Sequence, residues 1–140
     1  MTGDARLPDA IRPVMDNGIP ATIATCSADG WPNATIISQV YYVDETHVAL
    51  SFQFFSKTIS NVRENPKASV ILNDIAGSAN WILQLEFDHS ESEGPIFDEM
   101  DMRIEAIASA TGMSGIFKLR AADIYRVKSV KMASLAPRAS

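Results

Sequence analysis

The sequence predicts a mostly β protein, an antiparallel barrel of six or seven short strands with two or three peripheral helices. Short stretches alternate between apolar and polar residues, most cleanly over residues 81–87, which is typical of strands that bury one face. Hairpin-length turn signals such as Asp29-Gly30 separate these stretches. Strands and helices do not alternate regularly, as they do in a doubly wound parallel sheet. The length of 140 residues predicts one domain over residues 1–140.

In the first part of the chain, one helix precedes three strands. A helix is predicted over residues 7–17, because Pro8 suits a first helical position and Asn17-Gly18 is a stop signal. The strands are predicted over residues 21–27, 33–43 and 47–54. The second of these carries apolar side chains on both faces, so we expect both faces to be partly covered.

A short helix follows the third strand, and their junction is the most informative stretch of the chain. Residues 52–66 read F-Q-F-F-S-K-T-I-S-N-V-R-E-N-P, an apolar run followed by a helical pattern from Ser56. The free N–H groups and the dipole at the start of such a helix favour an anion. Lys57 and the hydroxyls of Ser56 and Thr58 add a charge and donors, so the junction suits a phosphate. The alternative is that Ser56 only caps the helix and that Lys57 is solvated.

The second half of the chain predicts three or four further strands and a longer helix. Met100, Ile104 and Ile107 recur at helical spacing, so we expect this stripe to pack against the barrel. Gly112 suits the position just after the helix. The predicted elements are strands over residues 67–73 and 81–87, a helix over 95–111, closing strands over 116–119 and 124–130, and a loose tail over 133–140.

Composition narrows the possible partners and the compartment. The net charge of −5 gives no support to nucleic-acid binding. The single cysteine, Cys26, excludes an intramolecular disulfide and fits a reducing cytoplasm, and its apolar surroundings in sequence predict a buried, inert thiol. Neither a signal peptide nor the roughly 20-residue apolar run of a membrane span is recognisable. We therefore predict a cytoplasmic protein with neither nucleic-acid nor membrane partners.

The order of these motifs resembles a known family. A strand and a D-G turn precede a strand that begins P-N-A-T-I-I-S, and a strand that ends S-F-Q-F-F precedes S-K-T and N-V-R-E-N-P-K-A-S-V. This order resembles the pyridoxamine 5′-phosphate oxidase-like family, the FMN-binding split barrels, most closely over residues 19–72. The resemblance implies a split β-barrel and a homodimer with FMN at the subunit interface. Trp31, beside the D-G turn, is a candidate for packing against the neighbouring subunit.

The resemblance also implies which residues bind the cofactor. Lys57 and Thr58 match the phosphate-binding pair, and Ser56 matches the capping hydroxyl. Asn61 lies one helical turn beyond Lys57 and is predicted to reach the phosphate or the ribityl chain, with a solvated helix residue as the alternative. The remaining implied residues lie on two strands. The backbone of the first contacts the isoalloxazine edge, and the end of the second runs beside the flavin: Thr35, Ile36, Ile37 and Ser38 on the first, and Ser51, Phe52 and Gln53 on the second.

Two departures from the family argue against vitamin B6 oxidation. The oxidases carry an arginine early in the second strand, whereas this chain has Asn33-Ala34-Thr35-Ile36 there. The oxidases also bind pyridoxal phosphate through a C-terminal arginine and histidine pair, and no such pair is recognisable near residues 124–126. We therefore leave the substrate and the catalytic residues unassigned.

The predicted function is that of an FMN-dependent oxidoreductase that acts on a small substrate, with a reduced pyridine nucleotide as a candidate electron donor. A flavin-binding sensor or carrier without turnover is an alternative from a different class. Heme or the deazaflavin F420 in place of FMN are further alternatives. The only histidines, His47 and His89, resemble surface turn residues and lack metal-ligand spacing, so no metal site is predicted.

Overall fold

The computed structural model describes residues 5–17, 21–37, 39–52, 56–110, 112 and 119–134. Seven antiparallel strands form one sheet, and three helices lie against it, as predicted. The strands are β1 (Ala21–Cys26), β2 (Pro32–Ile37), β3 (Val40–Asp44), β4 (His47–Phe52), β5 (Lys67–Asp74), β6 (Ala79–Glu91) and β7 (Ala121–Ser134). The helices are α1 (Ile11–Asn17), α2 (Ser56–Glu64) and α3 (Pro95–Ala110).

The strand order β2-β1-β5-β6-β7-β4-β3 explains why the sheet curls into a split barrel. Strands β2 and β3 lie at its two edges, yet only residues 38 and 39 separate them in the chain. The chain therefore brings the two edges together at one corner without a ladder between them. The long strand β7 lies near the middle, where it pairs with both β6 and β4.

The prediction of one strand over residues 33–43 was wrong. The side chains of Ile37 and Val40 both lie in the barrel core, each 1% exposed. They are three positions apart, and one continuous strand would point them to opposite faces. The chain therefore has to bend between them, and that bend divides the predicted strand into β2 and β3.

The end of the chain also differs from the prediction. The closing strand predicted over residues 124–130 is longer than expected, because β7 covers Ala121–Ser134. Leu119 precedes that strand, and residues 116–118 lie outside the described part of the chain. Ala133 and Ser134, predicted as tail, pair with Asn80 and Ala79 of β6. Strand β6 is likewise longer than the predicted 81–87, because its second half continues to pair with β7.

Apolar side chains form two clusters on the opposite faces of β4 and β7. The barrel interior holds Val48, Leu50 and Tyr125, together with side chains of α1. Met100 and Ile104 of α3 pack on the outer face, against Ala122 and Ile124 among others, which confirms the predicted packing of this stripe for those two residues. The side chain of Ile107 lies outside the described part. Gly112 has a left-handed φ of 74°, as expected just after a helix.

Candidate functional site

Helix α2 begins a few residues after the end of β4, at the predicted anion site. It covers Ser56–Glu64, and the backbone N–H of Asn65 still donates to the carbonyl of Asn61 before Pro66 ends the pattern. Its first turn contains no acidic residue, and Arg63 lies in its last turn. A helix start with free N–H groups and no nearby carboxylate in the same turn fits a phosphate.

The structure places the predicted site residues on three elements. Thr35, Ile36 and Ile37 lie on β2, Ser51 and Phe52 end β4, and Thr58 and Asn61 lie on α2. Ser38 and Gln53 lie outside the described residues, as do the side chains of Phe52, Ser56 and Lys57. Their roles stay predictions.

The three β2 residues face different surroundings. Ile37 belongs to the barrel core, Thr35 is half-buried, and the Ile36 side chain is exposed on the outer face. Ser51, at the end of β4, is only 2% exposed. The flavin contact predicted for residues 35–38 uses backbone groups, so these side-chain orientations leave it as a prediction.

Two side-chain hydrogen bonds attach α2 to the β1–β2 hairpin. The Asn33 amide donates to the Thr58 hydroxyl over 3.2 Å, and the Asn61 amide donates to the Thr25 hydroxyl over 3.0 Å. Asn61 is only 1% exposed, so the alternative of a solvated helix residue was wrong. Its predicted contact with a cofactor stays a prediction, and the amide already has a partner within the chain. Thr25 and Asn33 had no sequence signal for this role.

The far end of α2 contacts the same hairpin. A Glu64 carboxylate oxygen accepts a hydrogen bond of 3.3 Å from the backbone N–H of Ala28, in the turn between β1 and β2. Gly30 in this turn has a φ of 90°, a conformation that suits glycine. Contacts therefore run along the helix from its first turn to its last residue, and they fix its direction on the hairpin.

A buried carboxyl group lies beside the end of β4. Asp123 of β7 pairs with Leu50, is 3% exposed, and accepts a hydrogen bond of 2.6 Å from the Ser90 hydroxyl. Burial raises the pKa of this carboxyl, while the Ser90 hydrogen bond and the charge of Arg63 lower it by less. No sequence signal indicated a buried Asp123, because polar residues in a strand are usually on its exposed face.

We expect Asp123→Asn to stabilise the protein at neutral pH, by on the order of 1 kcal/mol. A carboxyl with a raised folded-state pKa stabilises most below its ordinary pKa, and this contribution is lost as the pH rises through the folded value. At pH 7 the raised pKa therefore costs the wild type stability, a cost that the asparagine avoids. Urea unfolding at pH 7 and pH 4 measures the gain, which should be larger at pH 7. An equal loss at both pH values would contradict it.

The two histidines contact carboxylates rather than an open site. His47 Nδ1 lies 3.0 Å from Asp44. The ring nitrogens of His89 lie 2.5 Å from Asp88 and 2.8 Å from Glu91, and these hydrogen bonds, led by that of Glu91, raise the pKa of His89. In the described part of the chain, no three His, Cys, Asp or Glu side chains are placed to hold a metal ion.

The His89 contacts predict a small pH dependence of stability. A raised pKa means that the stabilisation is complete below pH of about 6.5 and is lost as the pH rises through the folded value. Because the side chain is 48% exposed, the effect should be a fraction of 1 kcal/mol. An NMR titration of the ring checks the shift, and His89→Gln should remove the pH dependence. An ordinary His89 pKa would contradict it.

A groove of about 250 Å³ lies on the outer face of β1 and β5, next to the end of α2. Its lining includes Cys26, Lys67, Ser69 and Gln84. Cys26 is half-buried, so the prediction of a buried thiol was wrong. The groove opens on the same sheet face as the Ile36 side chain, because Ala24 and Cys26 alternate with the inward-facing residues of β1.

Comparison with known proteins decides the family. The sequence profile described as pyridoxamine 5′-phosphate oxidase matches residues 7–128. The chain belongs to this family. The match includes α2 and every strand up to most of β7, so the elements around the candidate site lie within the region shared with other pyridoxamine 5′-phosphate oxidase-like proteins. The chain has no match among curated protein sequences.

Solved structures with this fold include an FMN-binding protein, an F420 reductase and a heme storage protein. An FMN-binding protein from Syntrophomonas wolfei subsp. wolfei is 16% identical, with 91% of each chain covered and a TM-score of 0.70. An F420 reductase is 11% identical, with 89% of this chain and 98% of that chain covered and a TM-score of 0.65. HutZ, the heme storage protein of Vibrio cholerae, is 14% identical, with 92% and 94% covered and a TM-score of 0.58. At these identities, the likeness establishes the fold alone.

No helix in the described part of the chain has the length and the apolar content that crossing a bilayer takes.

Proposed function

We propose that the protein binds FMN, with the phosphate at the first turn of α2. The observation that carries this proposal is the placement of α2: a helix without acidic residues in its first turn follows the end of β4 and is held on the β1–β2 hairpin by Thr58 and Asn61. Membership of the oxidase family and the fold shared with an FMN-binding protein support FMN as the molecule that carries the phosphate.

The residues of this chain have separate roles in the proposal. Lys57 supplies a positive charge, and Ser56 and Thr58 supply hydroxyls beside the backbone N–H groups of the first turn. Ser51, Phe52 and Gln53 at the end of β4, and the backbone of residues 35–38, would lie along the ring system. When bound, the isoalloxazine supplies the redox chemistry, while the protein binds it, orients it and controls access.

We further propose a homodimer that completes each FMN site. An apolar row crosses the outer face of the sheet, because Ile36 pairs with Thr22, Thr22 with Ile71, and Ile71 with Ile82. Ile36 is 57% exposed, and Trp31, near the same edge, is 72% exposed. Apolar side chains that are grouped on one sheet face suit burial against a second copy of the chain.

As for activity, we propose a flavin-dependent oxidoreductase that acts on a small molecule. The main competing function is flavin binding without turnover, as a sensor or carrier. Heme is the less suitable cofactor on this structure, because both ring nitrogens of His89 are occupied by carboxylates. His47 contacts Asp44 through Nδ1, so only its Nε2 is available as an axial ligand.

The absorption spectrum of the purified protein, alone and after addition of FMN, tests the cofactor. Flavin bands that remain with the protein after desalting would support the proposal, whereas a Soret band would mean heme. Uptake of F420 and not of FMN would also contradict it. Anaerobic addition of NADH and of NADPH then separates an enzyme from a binding protein, because only rapid bleaching of the bound flavin supports an oxidoreductase.

Light scattering tests whether two copies of the chain form the proposed dimer. We expect a dimer, and we expect Ile36→Glu to shift it toward the monomer, because the substitution places a charge in the apolar row. Met102→Glu is a matched control, since Met102 is similarly exposed, at 69%, but lies on α3. A monomeric wild type that binds FMN tightly would contradict the shared site.

A further inference from the structure

Four side chains join α2 to the β1–β2 hairpin as two facing pairs. Thr25 and Asn33 are direct cross-strand partners on β1 and β2. Thr58 and Asn61 lie three residues apart, on one face of α2. Each amide donates to a hydroxyl of the opposite pair, Asn33 to Thr58 and Asn61 to Thr25. We call these four residues the polar quartet.

Burial makes the polar quartet selective for one placement of the helix. Thr25, Thr58 and Asn61 are each 5% exposed or less. A buried polar group that loses its partner costs free energy, because it no longer has water to bond to. Rotating α2 by one residue turns each side chain by about 100°, and a rotation of that size would separate both hydrogen-bonded pairs. The helix therefore has one favoured orientation on the hairpin.

The orientation of α2 decides where its first turn points. Thr58 belongs to that turn, so the hydrogen bond from Asn33 acts within the segment whose backbone N–H groups are free. Asn61 anchors the next turn from the buried side. Donors that are held in place before a ligand arrives bind it more tightly, because less ordering is required on binding.

We propose that the cross-strand pair Thr25–Asn33 positions α2, and that Asn61 is a positioning residue rather than a contact of the cofactor. The pair fixes the first turn of α2 in the orientation that receives a phosphate. This inference rests on the proposed function, since the phosphate at α2 is part of it. Thr25 and Asn33 would thus contribute to binding, although both are far from α2 in the sequence.

The test removes one buried hydroxyl and measures two quantities separately, the local stability of α2 and the affinity for FMN. Thr25→Val removes the acceptor with little change of volume, and Thr25→Ser restores it. Thr46→Val is the matched control, because it makes the same change at a hydroxyl that donates to Asp44 in the turn between β3 and β4, outside both the polar quartet and the apolar row. Hydrogen exchange of the α2 amides is measured in the flavin-free protein, and FMN affinity is measured by titration.

In Thr25→Val we expect the α2 amides to exchange about tenfold faster and the Kd for FMN to rise about tenfold, a change that corresponds to ~1.4 kcal/mol. Thr25→Ser should restore both values, and Thr46→Val should change neither. Unchanged exchange of α2 would overturn the inference, and so would faster exchange with unchanged FMN affinity. If Thr25→Val does not fold, Asn33→Ala makes the same test at the half-buried member of the quartet.

A failure of the proposed function gives a different result. If the wild-type protein binds no FMN, the phosphate site is wrong, whatever the exchange data show. Faster α2 exchange in Thr25→Val would still support the positioning of the helix by the hairpin, because that measurement needs no flavin. Lys57→Ala separates the two roles further: it should weaken FMN binding and leave α2 exchange at the wild-type rate.

Discussion

Lys57→Ala is expected to weaken FMN binding by about 1.5–3 kcal/mol, the size of a hydrogen bond to a charged group. Lys57 is the second residue of α2, at the end where the helix dipole already favours an anion. Its ammonium group adds a full charge to the partial charges of the backbone donors. A fluorescence titration with FMN, repeated at several salt concentrations, measures the loss.

A control variant and the salt series test whether the loss of affinity comes from the charge of Lys57. Lys131→Ala removes the same charge from β7, on an exposed residue, and should leave the affinity within about twofold of the wild type, a change of less than ~0.5 kcal/mol. The wild-type affinity should fall more with added salt than that of Lys57→Ala, because salt screens the removed charge. An unchanged affinity in Lys57→Ala would remove this residue from the site.

The largest effect on folding is expected for Leu83→Ala, a loss of about 2–5 kcal/mol in the free energy of unfolding. Leu83 is fully buried in the barrel interior, and it pairs with Val70 of β5 and Val130 of β7. Truncation removes apolar contacts and leaves a cavity. The cavity cannot easily collapse, because β6 is hydrogen-bonded to a strand on each side. Urea unfolding monitored by tryptophan fluorescence measures the loss.

Ile75→Ala is the control for Leu83→Ala. It also shortens an apolar side chain, but Ile75 is 89% exposed in the turn between β5 and β6. Its effect should stay within about 0.5 kcal/mol. A similar loss in both variants would mean that Leu83 is not a core residue.

Local patterns in the sequence were sufficient to predict the fold class, helix α2 and the approximate position of most strands. The alternation from Trp81 to Phe87 predicted a strand, and that stretch lies within β6. The start of α2 at Ser56 and its end before Asn65-Pro66 were predicted from capping and stop signals, which act over a few residues. Each of these signals depends on neighbours in sequence, and so one sequence is enough to recognise it.

Features that depend on distant residues could not be predicted. Residues 38 and 39 are neither proline nor glycine, so no local turn signal predicted the bend between β2 and β3. The bend follows from the requirement that Ile37 and Val40 share one core. The hydrogen bond from Asn61 to Thr25 spans 36 residues, and Asp123 meets Ser90 across 33. Such pairs become visible only when the sheet order is known.

The position of β7 has a consequence for synthesis on the ribosome. The ribosome makes this strand after the other six, yet it joins β6 to β4 in the middle of the sheet. A nascent chain that stops before Ala121 can form two ladders, β2-β1-β5-β6 and β4-β3, with no hydrogen-bonded strand to connect them. Each would expose an unpaired edge, a surface that favours aggregation. Cotranslational folding should therefore be completed only when β7 emerges from the exit tunnel.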